Sequence, residues 1–182
     1  MQPRRQHLVD TAYRLFNEHG YHATGIDRIL AESGVSKATL YKHFRSKDEL
    51  ILAVLQQRHH QVISLIDGYM KTAKEAGESP TLAIFDALDA WFHAEGYYGC
   101  NFINASAEYA QPGDAIYDFA REHKAALQTL IHDSLAARDK KNRQQRAMEI
   151  TLLVDGAIVS AHTRGNRDAA RLAKSMAGRL LA

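Results

Sequence analysis

The chain predicts an all-α fold of about nine helices. Apolar residues recur at helical spacing almost throughout, and alternating runs of strand length are hard to find. Only three prolines occur, Pro3, Pro80 and Pro112, and two of them stand where helices begin. Ser and Thr residues, several with an acid three positions on, punctuate the periodic segments as caps.

The first helix spans residues 4–19, with Leu8, Ala12, Leu15 and Phe16 on one stripe and Gly20 as its stop. A short helix over 25–33 follows, with Thr24 as cap and Asp27 completing a capping box. Gly34 and Val35 form a tight turn, and Ser36 caps a third short helix over 37–43. Ser46 and Glu49 open a long fourth helix that runs to Glu75. Residues 76–80, AGESP, break the chain, and Ser79 with Pro80 starts a fifth helix ending near Gly96. A sixth is centred on 102–109. A seventh opens at Pro112 to Asp114 and carries Ile116, Phe119, Leu127, Ile131 and Leu135. The basic stretch RDKKNRQQR, residues 138–146, includes a loop. The eighth helix then runs to Thr163 and the ninth from Arg167 to Leu181.

Length and composition bound the function. At 182 residues there is room for one domain, or a small one joined to a larger one. The chain is 46% apolar and 24% charged, the balance of a water-soluble globular protein. One cysteine, Cys100, excludes an internal disulfide. The longest uncharged stretch, Gly96 to Ala107, has 12 residues and includes Asn101 and Asn104, too short and too polar to span a bilayer. The first residues, MQPRRQHLVD, are basic but lack the apolar core of a signal peptide, so a cytoplasmic location without membrane partners is expected. There is no Gly-rich phosphate loop, nucleophile elbow or HExxH, so no enzyme and no cofactor is expected. An enzyme using Cys100 with His93 or His123 has only residue types in its favour.

The net charge of +2 does not argue for nucleic acid; its distribution does. No acid lies between Ser33 and Lys47, while Lys37, Lys42, Arg45 and Lys47 do. Two short helices joined by a Gly-containing turn, behind a longer amphipathic one, suggest a helix-turn-helix. The third helix lacks an acid in its first turn, as a helix N-terminus aimed at phosphate requires. A solvated basic face on a helical hairpin has the same charge pattern.

The run TGIDRILAESGVSKATLYKHFRSKDEL, residues 24–50, resembles the DNA-binding segment of the tetracycline-repressor (TetR) family of transcriptional regulators. Leu15, Phe16 and Gly20 fit that family's first helix, and the resemblance covers roughly the first 55 residues. It implies a helix-turn-helix domain over 1–50, with the motif at about 25–44, and an effector-binding and dimerisation domain over 51–182. Ser36, Lys37, Ala38 and Thr39 would then front the recognition helix in the major groove. Lys37 suits guanine O6 and N7, and Ala38 and the Thr39 methyl suit a thymine methyl. Tyr41, Lys42, His43 and Lys47 look like phosphate contacts, and Thr24 and Arg28 would touch backbone or one base. Val35, Leu40 and Phe44 are core positions.

The resemblance further implies a homodimer on a palindromic double-stranded DNA operator, joined through the last two helices. Their apolar stripes are Ala147, Ile150, Thr151, Val154, Ala157, Ile158 and Ala161, then Ala169, Leu172, Ala173, Met176 and Leu180. Either stripe would equally cover the chain's own core. The middle, residues 80–135, holds the only tryptophan and most aromatics, which suits a small-molecule effector site as it would a core. Trp91, Phe102 and Tyr117 would enclose an apolar or aromatic effector, with Asn101, Asn104 and Glu108 orienting it. Gly99-Cys100 resembles a subset of the family in which such a cysteine senses electrophiles or oxidants; an inert buried thiol is the other reading of Cys100. Asp86, Asp89 and His93 share a helix face at metal-ligand spacing, but that spacing is common on exposed faces, and no metal is expected. The function expected is a repressor released from its operator by an effector, with a thiol-sensing repressor or an effector-independent regulator as alternatives.

Overall fold

The computed structural model describes residues 3–136 and 142–182. Among them nine helices occur and no strand: α1 (Pro3–His19), α2 (Ile26–Ser33), α3 (Lys37–His43), α4 (Lys47–Glu75), α5 (Pro80–His93), α6 (Asn101–Glu108), α7 (Ala115–Ser134), α8 (Arg143–Arg164) and α9 (Ala169–Leu181). The order is the predicted one, and most ends move by a residue or two. Of the stretch 138–146 expected to include a loop, 138–141 lie outside the described residues and 143–146 already belong to α8.

Local chemistry explains most of the starts. The Ser36 hydroxyl accepts the Thr39 N–H at 3.2 Å and begins α3. Ser46 accepts the Glu49 N–H at 3.1 Å, and the Glu49 carboxylate takes the Arg45 N–H at 2.6 Å. Ser79 caps α5, with Pro80 in its first turn. The expected cap of α2 is corrected. Gly25 occupies that position without a side-chain bond, because the Thr24 hydroxyl is taken up by the carbonyls of Leu15 (3.2 Å) and Gly20 (2.8 Å).

The helices fall into two compact units. The first comprises 1–60 and 100–122, so α1, α2, α3, the start of α4, α6 and the start of α7 belong together. Its core is Leu8, Leu15, Phe16, Tyr21, Ile29, Leu40, Phe44 and Leu50, all essentially inaccessible, with Phe102 and Ala105 from α6. The Tyr21 hydroxyl donates to the Asn101 carbonyl at 3.1 Å, and burial raises its pKa far above the usual phenol range.

The second unit comprises 61–99 and 123–182. There α9 packs along both α5 and α8. Ion pairs fasten the α5–α9 seam: Lys174 meets Asp86 at 2.6 Å and Arg171 meets Asp89 at 3.1 Å. The apolar faces of α8 and α9 read from the sequence are largely consumed here. Ala147, Ile150, Val154, Ala157, Ile158, Ala161, Ala169 and Ala173 are all buried within the protomer. On α8 a different row stays open, Met148, Leu152 and Val159, while on α9 Leu172 and Met176 of the expected stripe remain exposed.

Gly99 has a packing role in this unit. Its φ of +86° lies in the left-handed region, and a Cβ there would stand 2.8 Å from the His162 ring. The glycine of the Gly99-Cys100 pair is therefore required by the turn, whatever the thiol does. Gly99→Ala is expected to destabilise the chain by about 1–3 kcal/mol, from backbone strain and the displaced ring. Urea unfolding measures this; an unchanged midpoint and slope would refute it.

Candidate nucleic-acid interface

The interface is built on the turn between α2 and α3. Gly34 ends α2 with φ +64°, its N–H donating to the Leu30 carbonyl at 3.0 Å. The Ser33 hydroxyl accepts the Val35 N–H at 3.3 Å. The chain then enters α3, whose first turn holds no acid and whose last turn holds Lys42 and His43. Leu40 and Phe44 face the core and Val35 is half-buried.

The opposite face of α3 is open. Ser36, Lys37, Ala38 and Lys42 are exposed, Thr39 and His43 are half-buried, and Tyr41 is 45% exposed with its ring outward. Arg45, one of the basic residues of the acid-free stretch, joins them at the helix end and is exposed. Arg28 is exposed on α2 and donates to His19 Nε2 at 2.7 Å. Lys47, half-buried, reaches the His22 carbonyl at 3.4 Å, and desolvation lowers its pKa from the usual lysine value. The structure thus gathers nine of the ten expected residues around one helix-turn-helix. The tenth, Thr24, is fully buried with its hydroxyl engaged, so its side chain is structural and does not face DNA.

Behind the motif lies a clasp that local sequence patterns do not reveal. The Glu108 carboxylate accepts the N–H groups of Tyr21 (2.9 Å) and His22 (2.6 Å). The His22 Nε2 pairs with the Glu108 carbonyl at 2.8 Å, and the His22 ring stacks on Tyr109 at 4.7 Å. Burial pushes the Tyr109 phenol up to about 12, with the nearby Asp48 carboxylate adding to the shift. The partners lie more than 80 residues apart in sequence, beyond the reach of any spacing rule.

Two of the three polar groups expected to orient an effector have internal partners. Glu108 is spent on backbone N–H groups, and buried Asn101 donates to Asn17 at 3.2 Å. Phe102 is buried beside Phe119, at 6.5 Å between ring centroids, and Arg121 lies over the Tyr117 ring at 5.9 Å. Asn104 sits on α6, its N–H donating to the Cys100 carbonyl at 3.0 Å. Cys100 precedes α6 and is only 8% exposed. In the second unit, Trp91 meets the Tyr97 ring edge-on at 5.1 Å.

Of the acids read as candidate metal ligands, Asp86 is paired with Lys174. Asp89 and His93 come within 4.8 Å of Asp168, a set that offers ligand atoms. Arg171 already holds both carboxylates, at 3.1 Å from Asp89 and 3.0 Å from Asp168, so a permanent cation supplies the charge an ion would bring. No helix among the described residues is long and apolar enough to cross a membrane.

The signature of bacterial regulatory proteins of the tetR family matches residues 8–54, which are α1, α2, α3 and the start of α4. The HTH-type transcriptional activator FasR of Mycolicibacterium smegmatis is 38% identical over 95 residues, 52% of this chain and 43% of that protein. The fatty acid metabolism regulator protein of Bacillus subtilis is 25% identical over 83 residues, 46% of this chain and 43% of its own length. Those matches therefore span less than half of either relative. The HTH-type transcriptional repressor ComR of Escherichia coli is 23% identical over 175 residues, 94% of this chain and 83% of that one. A TetR-family transcriptional regulator from Streptomyces coelicolor superimposes with a TM-score of 0.89 at 28% identity, covering 98% of this chain and 88% of that one. The matched segment holds an open recognition helix, and the chain shares the fold of that TetR-family transcriptional regulator over nearly its whole length.

Proposed function

We propose that the chain is a cytoplasmic repressor that binds a palindromic operator as a homodimer and leaves it when a small, largely apolar or aromatic effector binds. The observation that carries the dimer is the open apolar row on α8 and α9, where Leu152 is 72% and Leu172 61% exposed. Large apolar residues clustered on a surface mark an interface. A single helix-turn-helix makes few contacts, and two of them about 34–36 Å apart read a palindrome. Repression rather than activation is favoured by ComR, named a repressor and matched along 94% of this chain, over FasR, named an activator and matched along 52%.

A fold neighbour, the multidrug binding protein EbrR, has been crystallised in complex with malachite green. The mechanism is a population shift: the effector binds the DNA-released conformation more tightly, so the operator-bound population falls. The thiol-sensing alternative needs reagent to reach Cys100, and its burial favours a non-covalent effector.

Three measurements test this reading. Lys37→Ala is expected to weaken specific binding by about 1–3 kcal/mol and to relax discrimination at one base pair per half-site. An unchanged footprint and sequence preference would remove Lys37 from the base-reading set. Leu152→Glu places a charge in the proposed dimer seam and should give a folded monomer by sedimentation. A wild-type monomer, or a variant still dimeric at micromolar concentration, would contradict the assigned surface. Release from DNA by an effector should survive Cys100→Ser. If release instead requires an electrophile or oxidant and disappears in Cys100→Ser, the protein is a thiol sensor.

A further inference from the structure

We propose that His19, the last residue of α1, is a positioning residue for Arg28: a neutral imidazole fixes the guanidinium for DNA, and a protonated one releases it. The inference rests on the DNA-binding reading above and adds a residue that acts on DNA through another. Arg28 stands exposed in the first turn of α2, and its Nη2 lies 2.7 Å from His19 Nε2. A guanidinium has donors and no acceptor, so the ring nitrogen accepts, and the ring is neutral with its proton on Nδ1. The same Nε2 lies 3.5 Å from Oε2 of the Glu18 carboxylate. One nitrogen thus faces a donor and an acceptor, and a proton on it decides between them. Without the proton it accepts from Arg28. With the proton it pairs with Glu18 and repels the guanidinium.

The surrounding charges leave that choice open. On α1, Arg14 lies 3.5 Å from the same Glu18 oxygen, and from α2 Glu32 draws Arg14 away at 2.7 Å. Asp27, the residue before Arg28, is exposed in the first turn of α2. From α6, Glu108 approaches Gly20, but its oxygens accept the Tyr21 and His22 N–H groups. His19 itself sits in the last turn of α1, where unpaired carbonyls favour a cation. Protonation therefore has a receiving site in Glu18 and the helix end. A long exposed side chain loses rotamer freedom when it binds a phosphate, and an imidazole that orders it beforehand lowers that loss. The bond to His19 occupies a single N–H of the guanidinium and leaves donors for a phosphate oxygen.

The competing role is structural: a cation at the end of α1 would change thermal stability and leave DNA affinity alone. The probe is a duplex of about 30 bp that the wild-type chain selects from a random-sequence pool. Binding of the full chain is read by fluorescence anisotropy from about pH 8 down to about pH 5.5, across the range where imidazoles gain a proton. His19→Gln keeps an acceptor that does not titrate; His19→Leu removes the acceptor. Both retain His7, His22 and His43, whose titration cancels in the comparison with wild type. At the upper pH, His19→Gln should bind as wild type does and His19→Leu about three- to tenfold more weakly, the worth of one hydrogen bond. On acidification the wild type should lose a similar factor relative to His19→Gln. With Arg28→Met in place, exchanging His19 for Leu should change nothing further. Wild-type affinity in His19→Leu at the upper pH overturns the proposal. So does a wild-type pH profile parallel to that of His19→Gln, or a His19→Leu effect that persists undiminished with Arg28→Met. A wild-type chain that selects no sequence from the pool fails the DNA-binding assignment itself, and this proposal with it.

Discussion

The Glu108 carboxylate accepts two adjacent backbone N–H groups, those of Tyr21 and His22, where the chain leaves α1. Those donors have no helical partner, and a negative charge is the strongest acceptor available to them. The bond makes α6 part of the same compact unit as the helix-turn-helix, together with the Tyr21 hydroxyl on the Asn101 carbonyl and the His22–Tyr109 stack. The orientation of α1, and through Leu8, Leu15 and Phe16 the seat of α2 and α3, depends on that anchorage. A recognition helix can be small and open on one face because its other face is fixed in this way.

The same economy governs charge around the motif. Several acids near the basic face have their oxygens occupied. Glu49 closes the turn into α4, Glu32 is held by Arg14, and Asp48 lies against Tyr109. Basic groups are left pointing outward: Lys37, Lys42, Arg45 and, on α2, Arg28. With a net charge of only +2 for the chain, a DNA-binding face arises from the placement of charge, not its total.

What could be read in advance follows the range of each interaction. Ser36, Ser46 and Ser79 bond to groups three residues away, and their caps were legible. Thr24 has the same chemistry and a suitable acid in Asp27, yet its hydroxyl turns to carbonyls behind it once α1 folds back. Glu108 and Asn101 have the composition of a ligand site and serve instead as internal partners, 80 or more residues from the groups they hold. On α8, periodicity located a buried face through Ala157 and Ile158 but passed over the second apolar row through Met148, Leu152 and Val159. A helix that is apolar on two sides has no single moment, so sequence alone does not say which side the protomer keeps for itself.

That two-sidedness bears on how regulation is built. The row kept inside the second unit is dominated by alanine, with Ala147, Ala157 and Ala161 on α8 and Ala169, Ala173 and Ala177 on α9. Small side chains let backbones approach and give a close, weakly interlocked seam. The open row carries Met148, Leu152, Val159, Leu172 and Met176, of which the methionines fill irregular gaps most readily. The first unit, by contrast, is held by charge-assisted bonds and aromatic packing that leave little latitude. The chain thus carries an open helix-turn-helix face in the first unit and an open apolar row in the second.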